Sequence, residues 1–299
     1  MCVDMEWDVV IVIENDQIVG TLPYSFQSGK NGIYICQPRL TQTMGPWLRD
    51  QAFDIHREKL GFQKRILSKL IDRLPEFLNF DQNFHHSITN WLPFYWKGFK
   101  QTTFYSYVLD DIGNYNNIWE NFSADARRRI QKATDDHKLK IVDKMDCAAF
   151  YELNKMTFDR KQLEIPYTLE LVTQIGRACE DRNSGKILIA QNEQGIIYSS
   201  VFLVWDQNSA YYLMGGTDPQ FKNSGASSLL IWESIKRLSA ETSRFDFEGS
   251  MVESIENFFR SFGASQIPYF HITKTSNENN LSIAMAAKKI GKFMSRILK

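Results

Sequence analysis

The sequence predicts an α/β (α+β) chain of two tandem domains, each a mixed, mostly antiparallel sheet flanked by helices. Three observations carry this. The chain has 299 residues, long for one hydrophobic core and of a length for two. Short strand-like runs alternate with amphipathic helical stretches along most of it. The second half orders its later elements as three strands, a helix, a strand, a helix and a strand, and the first half shows a shortened version.

In the first half, residues 8–14, 17–26 and 32–40 read as strands, punctuated by Asn15-Asp16 and by Ser28-Gly29-Lys30-Asn31-Gly32. Residues 54–74 place Ile55, Leu60, Ile66, Leu67, Leu70 and Ile71 at helical spacing, and Pro75 ends the run. Residues 83–89 and 101–109 are the next strands, with Trp91-Leu92-Pro93-Phe94-Tyr95-Trp96 between them. The second half opens on a helix over 115–134, with Ser123 as an N-cap, then a strand at 139–143 and helices at 147–160 and 168–181. Strands at 186–191, 196–205 and 210–215 follow, then a helix at 224–239, a strand at 245–247, a helix at 253–262 and a strand at 267–274. Asp110-Asp111-Ile112-Gly113-Asn114 breaks the pattern, so the domains are expected at 1–112 and 113–280, with a basic amphipathic helix at 281–299.

Composition narrows the function classes. Hydrophobic residues make up 43% and charged residues 23%, as in globular proteins. Thirty-five basic residues cancel thirty-five acidic ones, so no overall field points to DNA. Asp4, Glu6 and Asp8 occupy the start without a basic residue, which argues against a secretory signal and for a cytoplasmic protein. Cys2, Cys36, Cys147 and Cys179 are scattered, and the five histidines show no ligand spacing, so no metal is expected. No hydrolase, nucleotide-triphosphatase or metalloprotease motif occurs.

Three stretches carry candidate chemistry. Asp246 and Glu248 alternate with Phe245 and Phe247, which puts both carboxylates on one strand face, where acids can accept an amine's proton; pairing with Arg244 or capping the following helix is the alternative. Lys222, Ser224, Gly225, Ala226 and Ser227 sit between a strand and a helix, where small residues expose N–H groups to an anion; plain capping of the helix is the alternative. The tail from 281 to 299 sets Ile290, Phe293, Met294, Ile297 and Leu298 on one side and five basic residues elsewhere. Such a helix suits peripheral membrane contact or packing of its apolar stripe on the body of the protein.

The run Arg244-Phe245-Asp246-Phe247-Glu248-Gly249-Ser250, with Ile255-Glu256-Asn257-Phe258-Phe259-Arg260-Ser261-Phe262-Gly263-Ala264 after it, closely resembles the last motif of FemAB-like transferases. Those enzymes add amino acids to peptidoglycan precursors and consist of two acetyltransferase-type (GNAT) folds. The resemblance implies acyl or aminoacyl transfer onto an amine acceptor such as a muropeptide precursor, in cell-wall or envelope metabolism. It implies no tightly bound cofactor; the donor is aminoacyl-tRNA, making tRNA a partner, or acyl-coenzyme A as in a plain GNAT enzyme. A catalytically degenerate GNAT binding module is the non-enzymatic reading. Within the motif, Arg260 beside Phe259 is the expected oxyanion-stabilising cation, although the family more often carries lysine there. Lys222, Gly225 and Ser227 resemble a degenerate GNAT pyrophosphate loop. Arg160 with Tyr167, together with Tyr212, matches the segments that line the acceptor groove, and Arg39 is expected in its far wall.

Overall fold

In a computed structural model, residues 5–160 and 162–276 are described; Cys2 and the basic stretch at 281–299 lie outside them. The described residues divide into two compact units. The N-terminal unit comprises residues 5–104 and 268–276, and the C-terminal unit residues 105–267.

The N-terminal unit opens with β1 (Glu6–Glu14), β2 (Gln17–Gly29) and β3 (Gly32–Cys36), paired antiparallel. Asn15 and Asp16 both take left-handed φ, 50° and 59°, the backbone that closes a tight hairpin. A two-residue strand, β4 (Trp47–Leu48), pairs with β2. Helix α1 (His56–Asp72) crosses over to β5 (Phe77–Phe84), which lies parallel to β3. Phe62, Ile66, Leu67 and Leu70 of α1 close over Val10, Val12 and Leu22. A short helix, α2 (Leu92–Trp96), precedes β6 (Lys100–Asp110), which belongs to the C-terminal unit from Tyr105 onward.

The C-terminal unit continues with α3 (Tyr115–Asn121), α4 (Ala124–Asp135), β7 (Lys140–Asp143), α5 (Cys147–Arg160) and α6 (Leu169–Glu180). Then come β8 (Gly185–Gln191), β9 (Ile197–Trp205), β10 (Ser209–Thr217), α7 (Ala226–Leu238), β11 (Arg244–Asp246), α8 (Glu253–Arg260) and β12 (Ser265–Thr275). The unit's sheet runs β7-β8-β9-β10-β11-β6, antiparallel except for β10 with β11. From Pro268 onward β12 belongs to the N-terminal unit, where Phe270–Thr275 pair antiparallel with β5. Each unit therefore has one plan: an antiparallel meander, a helix crossing over to a parallel strand, and an antiparallel strand beyond it.

Four expectations need correction. The strand expected at 83–89 is β5 and ends at Phe84, because its buried residues Phe80, Gln82 and Phe84 alternate upstream of the His-rich segment. The single helix over 115–134 is two. Phe122 is extended, with ψ 141°, and the Ser123 hydroxyl accepts the Ala126 N–H to start α4. The strand expected at 32–40 stops at Cys36, ahead of Pro38 and left-handed Leu40. The units also divide within β6 rather than near residue 112, and the last strand of the expected 113–280 domain packs with the N-terminal unit.

Candidate active site

Strand β10 pairs with β9 along its length but with β11 at only three positions, the last being Tyr211 opposite Asp246. β11 ends there, while β10 runs on to Thr217. A notch therefore opens at the C-terminal ends of two parallel strands, where α/β folds commonly bind ligands. Leu213 is an extra residue in β10, with no partner in the β9 register, so the strand bulges beside the notch.

Asp246 and Glu248 meet at this point, though not as two residues of one strand face. Glu248 lies beyond β11 in a left-handed conformation, φ 57°, and Gly249 follows at φ 70°. This turn brings the Glu248 N–H onto the Asp246 carboxylate at 2.7 Å. The Ser106 hydroxyl of β6 also donates to the same Asp246 oxygen. Asp246 is 5% exposed and Glu248 is partly accessible. Loss of water, then the charge on Asp246, raise the Glu248 carboxyl well above the ordinary range. Burial, then Asp206 and further out Asp246 and Glu248, push the neighbouring Tyr211 hydroxyl up to about 12. The notch is thus acidic, with one carboxyl bound by donors and a second whose pKa is raised above the ordinary carboxylate range.

The other expected residues fall elsewhere. The Arg260 side chain is 63% exposed, its Nε donates to Glu256 at 2.8 Å, and its guanidinium also bonds Asn257. It is an exposed helix charge in an i, i+4 pair, not a cation aimed at a reacting carbonyl. Phe259 is 5% exposed and packs on Phe247 at 4.9 Å and Tyr212 at 5.8 Å, in the core behind the sheet. Tyr212 lies along β10 with its hydroxyl over Gly215, where a Cβ would stand 1.8 Å away, and burial raises it to about 12. Tyr167 is buried and donates to Asn154, whose amide donates to the Gly215 carbonyl at 2.8 Å. It ties α5 to β10 rather than lining a groove. Arg160 is exposed in the last turn of α5, and Arg39 is exposed in a loop of the N-terminal unit.

The expected anion cradle is closed. Gly225 has φ 84°, and a Cβ there would stand 1.9 Å from the Arg129 carbonyl, so α4 sits directly on the start of α7. Ser224, Gly225, Ala226 and Ser228 are buried, the Ala226 N–H goes to the Ser224 hydroxyl, and Ser227 bonds Thr217 and Ser199. Lys222 is exposed. Arg129 clamps the junction: Nε donates to Ser228 at 2.9 Å, another nitrogen donates to Ser261 at 2.8 Å, and the guanidinium lies over Phe258.

The sequence does not single out Ser106, Asn154 or Arg129, and of the adjacent Tyr211 and Tyr212 it is Tyr211 that stands by the two acids. Ser106 had a signal, as a small polar residue inside the apolar run 104–109. Arg129, the last of three consecutive arginines, had none.

With this geometry in view, the comparisons are consistent. Residues 120–256 match the family model of the acetyltransferase (GNAT) domain. The C-terminal unit therefore carries an acyltransferase domain. The whole fold resembles the crystal structure of FemX, with TM-score 0.66, 11% identity, and 89% of this chain and 88% of that one covered. It also resembles the C-terminal domain of a putative lysylphosphatidylglycerol synthetase from Agrobacterium fabrum, with TM-score 0.56, 10% identity and coverages of 95% and 89%. A tandem GNAT protein from the clavulanic acid biosynthesis pathway aligns with TM-score 0.52, 10% identity and coverages of 92% and 85%. No curated protein matches the sequence. Among the described residues, no helix is long and apolar enough to cross a membrane.

Proposed function

We propose that this chain transfers an aminoacyl or other acyl group onto an amine of a cell-envelope precursor, in the manner of FemAB-like enzymes, with Glu248 taking the amine's proton. The observation that carries the reading is the Glu248 carboxyl, lifted by burial and by Asp246, at the mouth of the β10–β11 notch. A base of raised pKa suits proton transfer at neutral pH. The acceptor nitrogen attacks the acyl carbonyl and a C–N bond forms. The nitrogen's proton passes to Glu248, the bond from carbonyl carbon to leaving group breaks, and the leaving group takes up a proton. Backbone N–H groups at the Leu213 bulge are the candidate oxyanion donors. Asp246, held by Ser106, keeps its neighbour's pKa high and the site attractive to a cationic amine.

The closed start of α7 supports a donor other than coenzyme A, for which aminoacyl-tRNA is the proposal. The second reading, an acyl-coenzyme A donor, is favoured by the GNAT domain match itself. The shared plan of the two units supports a shortened GNAT-like fold in the N-terminal one. The test is transfer of radiolabel from charged tRNA or from acetyl-coenzyme A to a muropeptide amine, for wild type and Glu248→Gln. Transfer from charged tRNA, lost in the variant, is expected. Transfer from acetyl-coenzyme A alone moves the assignment to the second reading, and no transfer from either leaves a binding module.

A further inference from the structure

The chain is neutral overall, with 35 basic and 35 acidic residues, yet one surface of the N-terminal unit is not. Helix α1 carries Arg57, Lys59, Lys64, Arg65 and Lys69 against Glu58 and Asp72. Arg65 and Lys69 turn to one side and pair with Glu14 of β1. On the other side Arg57, Leu60, Gly61 and Lys64 recur at helical spacing as an exposed stripe. Helix α2 lies beside it: Lys64 Nζ is 5.0 Å from the centroid of the Trp96 ring, and Asn90, just before α2, donates to Gln63 at 3.0 Å.

Exposed apolar side chains gather on this surface. Leu60 is 43% exposed, Leu92 48%, Trp96 55% and Tyr95 58%. Leu92 and Trp96 are one helical turn apart, so they share a face. Aliphatic side chains, Trp and Tyr at the rim, and unpaired cations are the chemistry of a headgroup–acyl boundary. A nucleic acid would use the cations and rings but would leave Leu60 and Leu92 without a suitable contact.

We propose that the α1–α2 surface rests on an anionic lipid bilayer, with Leu60, Leu92, Tyr95 and Trp96 entering the headgroup layer and Arg57 and Lys64 facing lipid phosphates. This assignment is independent of the transfer chemistry above.

The test is co-sedimentation of the full chain with vesicles of phosphatidylcholine containing roughly a third phosphatidylglycerol, beside pure phosphatidylcholine, over a salt series. Binding to the anionic vesicles that weakens with salt is expected. The variant Leu60→Ser/Lys64→Glu/Trp96→Ser should bind about tenfold more weakly or less, and Lys64→Glu alone should lose part of the binding. All three side chains are exposed, so an unchanged melting temperature is expected and checks the fold. No sedimentation with anionic vesicles overturns the proposal. So does equal binding by the triple variant, because the contact then lies elsewhere on the chain. A mobility shift with bulk tRNA that the triple variant loses, without vesicle binding, overturns it in favour of nucleic acid.

Discussion

A carboxyl whose pKa is raised by burial and by a neighbouring charge affects both turnover and stability, and Glu248 allows both to be measured. Its folded pKa lies above the unfolded one, so the folded protein keeps a proton that the unfolded chain releases. The associated stability is whole below the ordinary carboxylate pKa and is lost as pH rises from there through the raised value. Glu248→Gln should therefore raise the melting temperature over wild type at pH 8 and leave it nearly level at pH 4; a scan at the two pH values checks this. The same substitution should lower kcat/KM by about a hundredfold to ten-thousandfold. In wild type the rising limb of kcat/KM against pH should lie above the usual carboxylate range. Asp246→Asn removes the repelling charge and should move that limb to lower pH. The two acids were legible as a pair because they alternate with phenylalanines. Their actual contact was not, since it depends on a left-handed non-glycine residue and on Ser106, 140 positions away.

At the scale of elements, what is local in sequence was legible and what packing decides was not. Ser123 caps α4 as its hydroxyl and position suggest, while the break before it follows from Phe122, 2% exposed against Phe262 and Trp232. Small residues at 224–228 do mark a helix start, but the same smallness that would admit an anion lets α4 approach instead. Arg129 is the side chain that fixes this approach. Arg129→Ala leaves the buried Ser228 hydroxyl without its donor and frees α8 at Ser261, so it should cost about 1–3 kcal/mol in urea unfolding. Gly225→Ala forces a Cβ against the Arg129 carbonyl at positive φ, and should cost at least as much. If acetyl-coenzyme A stabilises wild type while these variants bind it more tightly, the closed start is a gate rather than a permanent joint.

At the scale of the molecule, the described residues do not change units once, as a break near residue 112 would require. They do so within β6 and again within β12. A sequence reading cuts where composition shifts, and neither strand offers a break: β6 runs on from Lys100 to Asp110 and β12 from Ser265 to Thr275, each without a turn residue pair, and topology chooses their partners. The consequence is testable at Ile272, which follows every described helix of the C-terminal unit in sequence yet is fully buried in the N-terminal core. It lies opposite Gln82 of β5, and Phe80 and Leu70 belong to the same cluster. Ile272→Ala removes several methylene-sized groups from that core and should cost about 2–5 kcal/mol. Because the loss is felt where the side chain packs, hydrogen exchange should accelerate in β2, β3, β5 and α1. Amides of β8, β9 and α7, which belong to the other core, should keep their protection. Equal acceleration in both sets would mean that the two units unfold as one, and faster exchange confined to β8 and β9 would contradict the assignment of the last strand.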